Sequence, residues 1–536
     1  MTWEQFQDRV NQLETVNTDW FKYLFRNSIT HRHSISISGG SENTTFYLSG
    51  SYMDEQATAK SVGMDTYTMA AKVFTKLRHN LRIGGMLDVN MRNNKSFFAS
   101  DSRENPYEWA IYTTRAHNAY DENGDFNYMY YNDLKFNFLE NREQSWRKSK
   151  NFGLKGTVDI EWKIFSFSKS NTTDVDVATE DSYFVRARQK DMQDNTTFEP
   201  VWHDGGYRQS KGTNNSSITF RNQISYMPVI NEDHRFDVMV GQEIRTSKYE
   251  EEKTQIYGYA HDRGHQQILQ LDLMAKLGVP YWTESMNETA AVSWFGVAGY
   301  TYKNRYTVSF NARTDGSNRF GLKTNDLFQP LWSVGFNYQV KEENFLKDVQ
   351  WLTYLTLKGS YGSQGNVADA YSDLVAKVGT IDAIKKENYL VIDAPKNPNL
   401  KWEKNYSTNL ALEFGLFNRR IAGTLEYYYK KGVDLLGKKQ VSLVSGFPSV
   451  SVNWASMKNT GWEFSLNTIN IDTHGFRWTS NFNFGYNYNE ILDVYSTPTY
   501  GSMTNAQRTD YASAAIVGKP INGLWSYKYA GLNEEG

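Results

Sequence analysis

A chain of 536 residues with 39% hydrophobic residues can bury a large core, and no composition shift divides it. It has no cysteine, which removes disulfides, thiolate nucleophiles and most structural zinc sites. A net charge of -2 offers no basic field for nucleic acid or anionic headgroups, and no apolar run approaches the roughly 18 residues of a membrane helix.

The first residues, MTWEQFQDRVN, lack the basic, apolar and small-residue layout of a signal peptide. Residues 1–30 read as a helical lead-in ending in TDWFKYLFRN. From there the hydrophobic period changes to two and keeps returning. HSISIS, TTFYLSGSYM, TYTMAAKVFTKL, LRIGGMLDVNM and FGLKGTVDIEWKI alternate, as do SITFRNQISYM, RFDVMVGQE and WFGVAGYTY. The series runs through LWSVGFNYQV, LTLKGSYG, NLALEFGLF, IAGTLEYYYK, GWEFSLNTINI and FRWTSNFNFGYNYN. With FSFSKSNTT and LWSYKYAGL this predicts about 17 strands, many about 9 to 13 residues long.

Strand length separates two readings of that alternation. Soluble sandwich strands run about 5 to 6 residues, whereas a tilted membrane-crossing strand needs about 9 to 11. In Phe152–Ile164 one face carries Phe152, Leu154, Val158, Ile160 and Trp162, and the other Lys155, Thr157, Asp159, Glu161 and Lys163. A one-residue slip would put those lysines into lipid at about 2–4 kcal/mol each near the midplane, so the polar face must line something wet. Link lengths agree. Short links at 39–43, 78–80, 228–234, 303–305, 417–420 and 472–475 alternate with long segments, the pattern of an outer-membrane barrel with tight turns at one rim and long loops at the other.

The stretch RYTVSFNARTDGSNRFG, 305–321, condenses this rule. Tyr306, Val308 and Phe310 are predicted to face lipid, and Thr307, Ser309, Asn311 and Arg313 the lumen, with Asp315-Gly316 as a turn opening an external loop.

Residues with conspicuous chemistry have plainer readings beside them. DENGDF, 121–126, has the odd-numbered carboxylates of a calcium loop but lacks its closing glutamate, and reads better as a solvated turn. His261 and His265 sit in a Gly- and Asp-bearing loop, where a surface reading outweighs metal ligation. Asp159 with Glu161 would stand about 6–7 Å apart, and Glu403 with Glu413 forms another imaginable glycosidase pair, but polar residues line every strand at such spacing. No nucleophile elbow, P-loop or dinucleotide fingerprint occurs, so no catalytic residue, metal or cofactor is expected. In the long loops, NPYEWAIYTTRAHNAY predicts a short helix capped by Asn105 with Pro106 at its first position. The loop aromatics Trp109, Tyr130, Tyr131, Trp202, Tyr281 and Trp282 are the candidate substrate contacts, against packing or an interfacial belt as the ordinary role of each.

RTDGSNRFG, LKGSYGSQGN, NPNLKWE, MKNTGWEFSLN and GLWSYKYAGL resemble, in this order, motifs of SusC/RagA-type TonB-dependent outer-membrane transporters of Bacteroidetes-like bacteria. SISGGSENTTFYLSGSYMDEQ is similar to the family's early strands. The resemblance implies an all-β antiparallel transmembrane barrel of about 22 strands with a plug. It also implies a SusD-like surface lipoprotein as partner, the TonB complex as energy source, an oligosaccharide or peptide ligand, and outer-membrane lipid around the wall. No segment resembles the plug or the last strands. The expectation is therefore a partial barrel over 31–536 with an external lead-in at 1–30, and import rather than catalysis. A siderophore or cobalamin receptor of the same barrel type, or a β-rich glycan hydrolase, are the alternatives.

Overall fold

The computed structural model describes residues 2–521 apart from 98–104, 132–133, 165–166, 187–205, 229, 261–265, 268–269, 277, 319–327, 367–373, 382–386, 398, 448, 496–514; residues 523, 528 and 531 are also described. Among them the large antiparallel sheet has 17 strands, one of which is only the pair Gln266–Gln267. The predicted alternating segments fall in long strands of this sheet, FSFSKSNTT from Phe167 onward, except LWSYKYAGL, which falls largely outside the described residues. The chain packs as two units, one of Met1–Ile160, Thr172–Phe220 and Thr246–Glu288, the other of Glu161–Asn171, Arg221–Arg245 and Thr289–Gly536.

In the first unit, strand Thr30–Gly40 turns back on Thr44–Gln56 with Gly40 opposite Thr45, and Gly63–Arg78 and Leu81–Ser96 follow in the same antiparallel manner. Its buried apolar cluster lies in helices and loops. Helix Trp3–Glu14 starts at a capping box made by Thr2 and Gln5, and Trp20–Leu24 is capped by Asp19. The predicted helix forms as Pro106–Tyr112, with the Asn105 side chain accepting from the Tyr107 amide at 3.0 Å. Asn137 caps Phe138–Gln144 by accepting from the amides of Leu139 and Glu140. These helices bring Trp20, Leu24, Trp109, Ala110, Ala119 and Phe138 into one cluster. Trp109 meets Trp20 edge-on at 5.7 Å and stacks on Phe138 at 5.2 Å. Arg142 closes it by donating to the carbonyls of Leu24 and Lys60, and burial, with Arg26 nearby, lowers its pKa from the usual guanidinium value.

The second unit carries strand Trp282–Tyr302 from Thr289 onward, then Tyr306–Ser317, Phe328–Gln339, Leu352–Asn366, Glu403–Leu416, Ile421–Gln440, Ser449–Thr473 and Phe476–Asp493, each paired with the next. Between the paired Tyr302 and Tyr306, Lys303 and Asn304 of the three-residue link hold positive φ of 50° and 54°, the left-handed backbone of a tight hairpin turn. Burial alternates as the sequence does, with its sign reversed from that of a soluble protein. Tyr306, Val308 and Phe310 are 41%, 50% and 47% exposed, whereas Thr307, Ser309 and Asn311 between them are half-buried.

One local expectation is corrected. Asp315-Gly316 makes no turn: the strand runs on to Ser317. Gly316 is needed for space, because a Cβ there would meet the Phe328 ring of the paired strand at 2.7 Å. The link 340–351 is longer and more structured than the other turns on its rim, a 3-10 turn at Val340–Glu342 followed by a bonded loop.

Candidate functional site

On the half-buried face of the second unit, polar side chains are joined to one another from strand to strand. Glu243 lies between two guanidiniums: Arg221 Nε donates to its Oε2 at 2.7 Å and Arg313 Nη2 to its Oε1 at 3.2 Å. Arg313 is fixed further by Asp315, which accepts from Nε at 2.6 Å, and by Ser293 Oγ, 2.8 Å from Nη2. The Phe295 ring lies 5.8 Å under the same guanidinium and occupies the space where a side chain on residue 241 would begin, so only Gly241 fits. Alternation brings each of these residues to the polar face of its own strand; pairing the strands brings them together.

Beyond this ion network, and beside the ion pair of Lys358 with Glu413, neutral amides and hydroxyls bond one another in register. Thr301 bonds its partner Thr307 at 3.1 Å, Asn311 donates to Ser333 at 3.2 Å, and Thr356 donates to Gln339 at 2.9 Å. Farther along, Asn481 donates to Asn467 at 2.6 Å and Asn489 to Asn459 at 2.8 Å. Asn311, Arg313, Ser333, Ser360, Gln364 and Asn409 line a groove of about 460 Å³. Its donors and acceptors suit a ligand rich in hydroxyls or amides.

The opposite face is apolar and bare. Phe482, Phe484 and Tyr486 are each more than half exposed. At its tight-turn end aromatic rings follow one another across the strands. His234 is 5.1 Å from Tyr302, Tyr302 6.3 Å from Tyr306, and Tyr306 5.0 Å from Tyr338. The outer surfaces of membrane barrels are apolar bands edged by aromatic belts.

A model described as "TonB dependent receptor-like, beta-barrel" matches residues 88–533. The chain belongs to that family. It is 27% identical over 516 residues to the TonB-dependent receptor SusC of Bacteroides thetaiotaomicron, covering 90% of this chain and 49% of SusC. It is likewise 27% identical over 530 residues to TonB-dependent receptor P26 of Formosa agariphila, covering 96% and 51%. The chain thus spans about half the length of the curated relatives it matches. Among solved structures it resembles the RagAB peptide transporter with a TM-score of 0.79 at 23% identity, over 97% of this chain and 56% of that one. It resembles the ferripyoverdine receptor of Pseudomonas aeruginosa with a TM-score of 0.53 at 12% identity, over 88% and 56%. Both likenesses speak for the fold.

The loop aromatics of this receptor barrel separate. Trp109 is 4% exposed and belongs to the loop core, so it is removed from the surface candidates: no ligand reaches its ring while Trp20 and Phe138 cover it. Tyr281 and Trp282 are exposed and adjacent, and Trp282 Nε1 donates to Glu252 at 2.8 Å. Tyr130 and Tyr131 lie in a short strand, Met129–Tyr131, paired with Leu134–Phe136, with their side chains outside what is described. Trp202, His261 and His265 lie outside the described residues altogether. Asp121 accepts from the amides of Asn123 and Asp125 at 2.9 Å, the behaviour of a turn residue. Glu413 is bonded to Lys358 and Glu403 to the Leu436 amide, so neither faces the other as an acid–base pair. Sequence reading selects Arg313 but misses Glu243, Arg221 and Ser293; their only trace is a polar residue in phase with the polar face of an alternating segment or just before it.

Proposed function

We propose that this chain forms the barrel wall of a SusC/RagA-type importer in the outer membrane of a Bacteroidetes-type bacterium, taking up oligosaccharides or peptides. A SusD-like lipoprotein would deliver the ligand and the TonB complex would supply the energy. The carrying observation is the reversed sheet: an apolar face left bare, and a polar face whose ions and amides bond one another across the strands. In this reading Thr307, Ser309, Asn311 and Arg313 face the lumen. The long loops and the helical residues 1–30 lie outside the cell, and Tyr281 and Trp282 form the exposed aromatic contact for ligand. The groove beside Arg313 fits the same reading, since serine hydroxyls and neutral amides exchange bonds with a passing polar chain without holding it as ions would.

Uptake of labelled oligosaccharide and peptide mixtures by cells carrying the intact transporter, with and without a protonophore, tests this. Energy-dependent uptake of either class that is lost on gene disruption supports it. Energy-dependent uptake of an iron-loaded siderophore alone, with neither class transported, overturns it.

A further inference from the structure

The link 340–351 is held as a folded knob. Lys341 Nζ donates to the carbonyls of Leu346, Lys347 and Val349 at 2.6, 2.9 and 2.8 Å, and the amides of Leu346 and Lys347 both return to the Glu343 carbonyl. The Trp351 carbonyl accepts from the Phe417 amide at 2.7 Å, which ties the far end to the 417–420 turn. The near end is fixed by Glu343, which accepts from the Tyr306 hydroxyl and lies 3.6 Å from Arg305 Nη1. Tyr306 belongs to the apolar face, in phase with Val308 and Phe310, so this bond draws the knob to the apolar side of the rim. There Phe345 is 72% exposed.

Such a loop cannot relax to hide its phenyl ring, because its backbone is already committed to internal bonds. Phe345 follows two residues after Glu343, whose bond to Tyr306 fastens the knob to the belt of Tyr302, Tyr306 and Tyr338, where the apolar face meets the tight turns. We propose that the knob is a membrane-interface foot: Phe345 inserts among the phospholipids of the periplasmic leaflet, and the neighbouring Lys347 keeps its ammonium at headgroup level. The proposal rests on the apolar face being the lipid face.

These 536 residues hold no cysteine, so with any cysteine elsewhere in the transporter replaced, one nitroxide label at a time is placed at Phe345→Cys, Asp348→Cys, Val308→Cys or Asn311→Cys in the intact transporter reconstituted into phosphatidylethanolamine–phosphatidylglycerol vesicles. Collision with oxygen, which concentrates among acyl chains, is compared with collision with a water-soluble nickel chelate. The expected result is an oxygen-to-nickel ratio several-fold higher at 345 than at 348, approaching the ratio at 308. A water-like ratio at 345 with a lipid-like ratio at 308 overturns the foot and leaves the barrel's orientation standing. A water-like ratio at 308 overturns the orientation and the foot with it.

Discussion

Arg313 donates to Glu243 from one strand to another at 3.2 Å, while Arg221 holds the other oxygen of the same carboxylate at 2.7 Å. The Glu243 side chain is 12% exposed, so its removal would leave two guanidiniums facing each other in a partly desolvated wall. Glu243→Ala is expected to destabilise the barrel by about 1–3 kcal/mol, below the roughly 3–5 kcal/mol for breaking a fully buried pair, because Arg313 and Arg221 retain water. Glu243→Gln, which keeps the shape and loses the charge, should cost less. Heat-modifiable migration in detergent measures both: the unfolding temperature should fall in the order wild type, Gln, Ala.

The Phe295 ring fills the space a Cβ on residue 241 would need, so Gly241→Ala forces the ring aside or bends the strand. The expected cost is about 1–3 kcal/mol. Adding Phe295→Leu should recover part of it, since the shorter side chain leaves room for the methyl group. The two changes should therefore be non-additive in the same melting measurement. Additive losses would mean that the ring moves away freely.

How far these relationships could be read in advance depends on what decides them. Alternation fixed which face of each strand a residue takes, so Val308, Phe310, Asn311 and Arg313 were legible one strand at a time. The bond from Arg313 to Glu243 was not, because it depends on pairing and register between segments about 70 positions apart, set by turns and bulges that period-two counting ignores. Gly316 misled for a related reason. Next to an aspartate it reads as a turn glycine, but its use is to admit Phe328 from a paired strand. Trp109 looked like a loop aromatic because local sequence does not show that Trp20 and Phe138 fold over it.

Trp109 provides the contrast with the exposed pair at 281 and 282. Trp109→Ala removes the ring that joins Trp20 to Phe138 and should cost the loop module about 3–5 kcal/mol, within the range for emptying a core aromatic site. The strands Tyr306–Ser317 and Phe328–Gln339 belong to the other unit, so their protection should persist. Limited proteolysis should therefore cut first within residues 1–30 and 105–144 while the strands survive. Trp282→Ala, by contrast, should leave proteolysis unchanged and lower ligand uptake. Uptake unaffected by Trp282→Ala would remove that residue from the ligand contacts.

The sharpest check of which face meets lipid uses two nearby positions on a single strand. Val308 and Asn311 both lie in Tyr306–Ser317, three residues apart and on opposite faces. Lysine at 308 would be driven into hydrocarbon, at about 2–4 kcal/mol if the site is near the midplane. Lysine at 311 would enter a wall that already holds Arg313 and would lose only the bond to Ser333, about 0.5–1.5 kcal/mol. The amount of heat-modifiable barrel recovered from outer membranes should thus drop for Val308→Lys and stay near wild type for Asn311→Lys. The reverse order would require the apolar face to turn inward, and the bonded amides and ion network to turn toward lipid, where their remaining donors would have no partner.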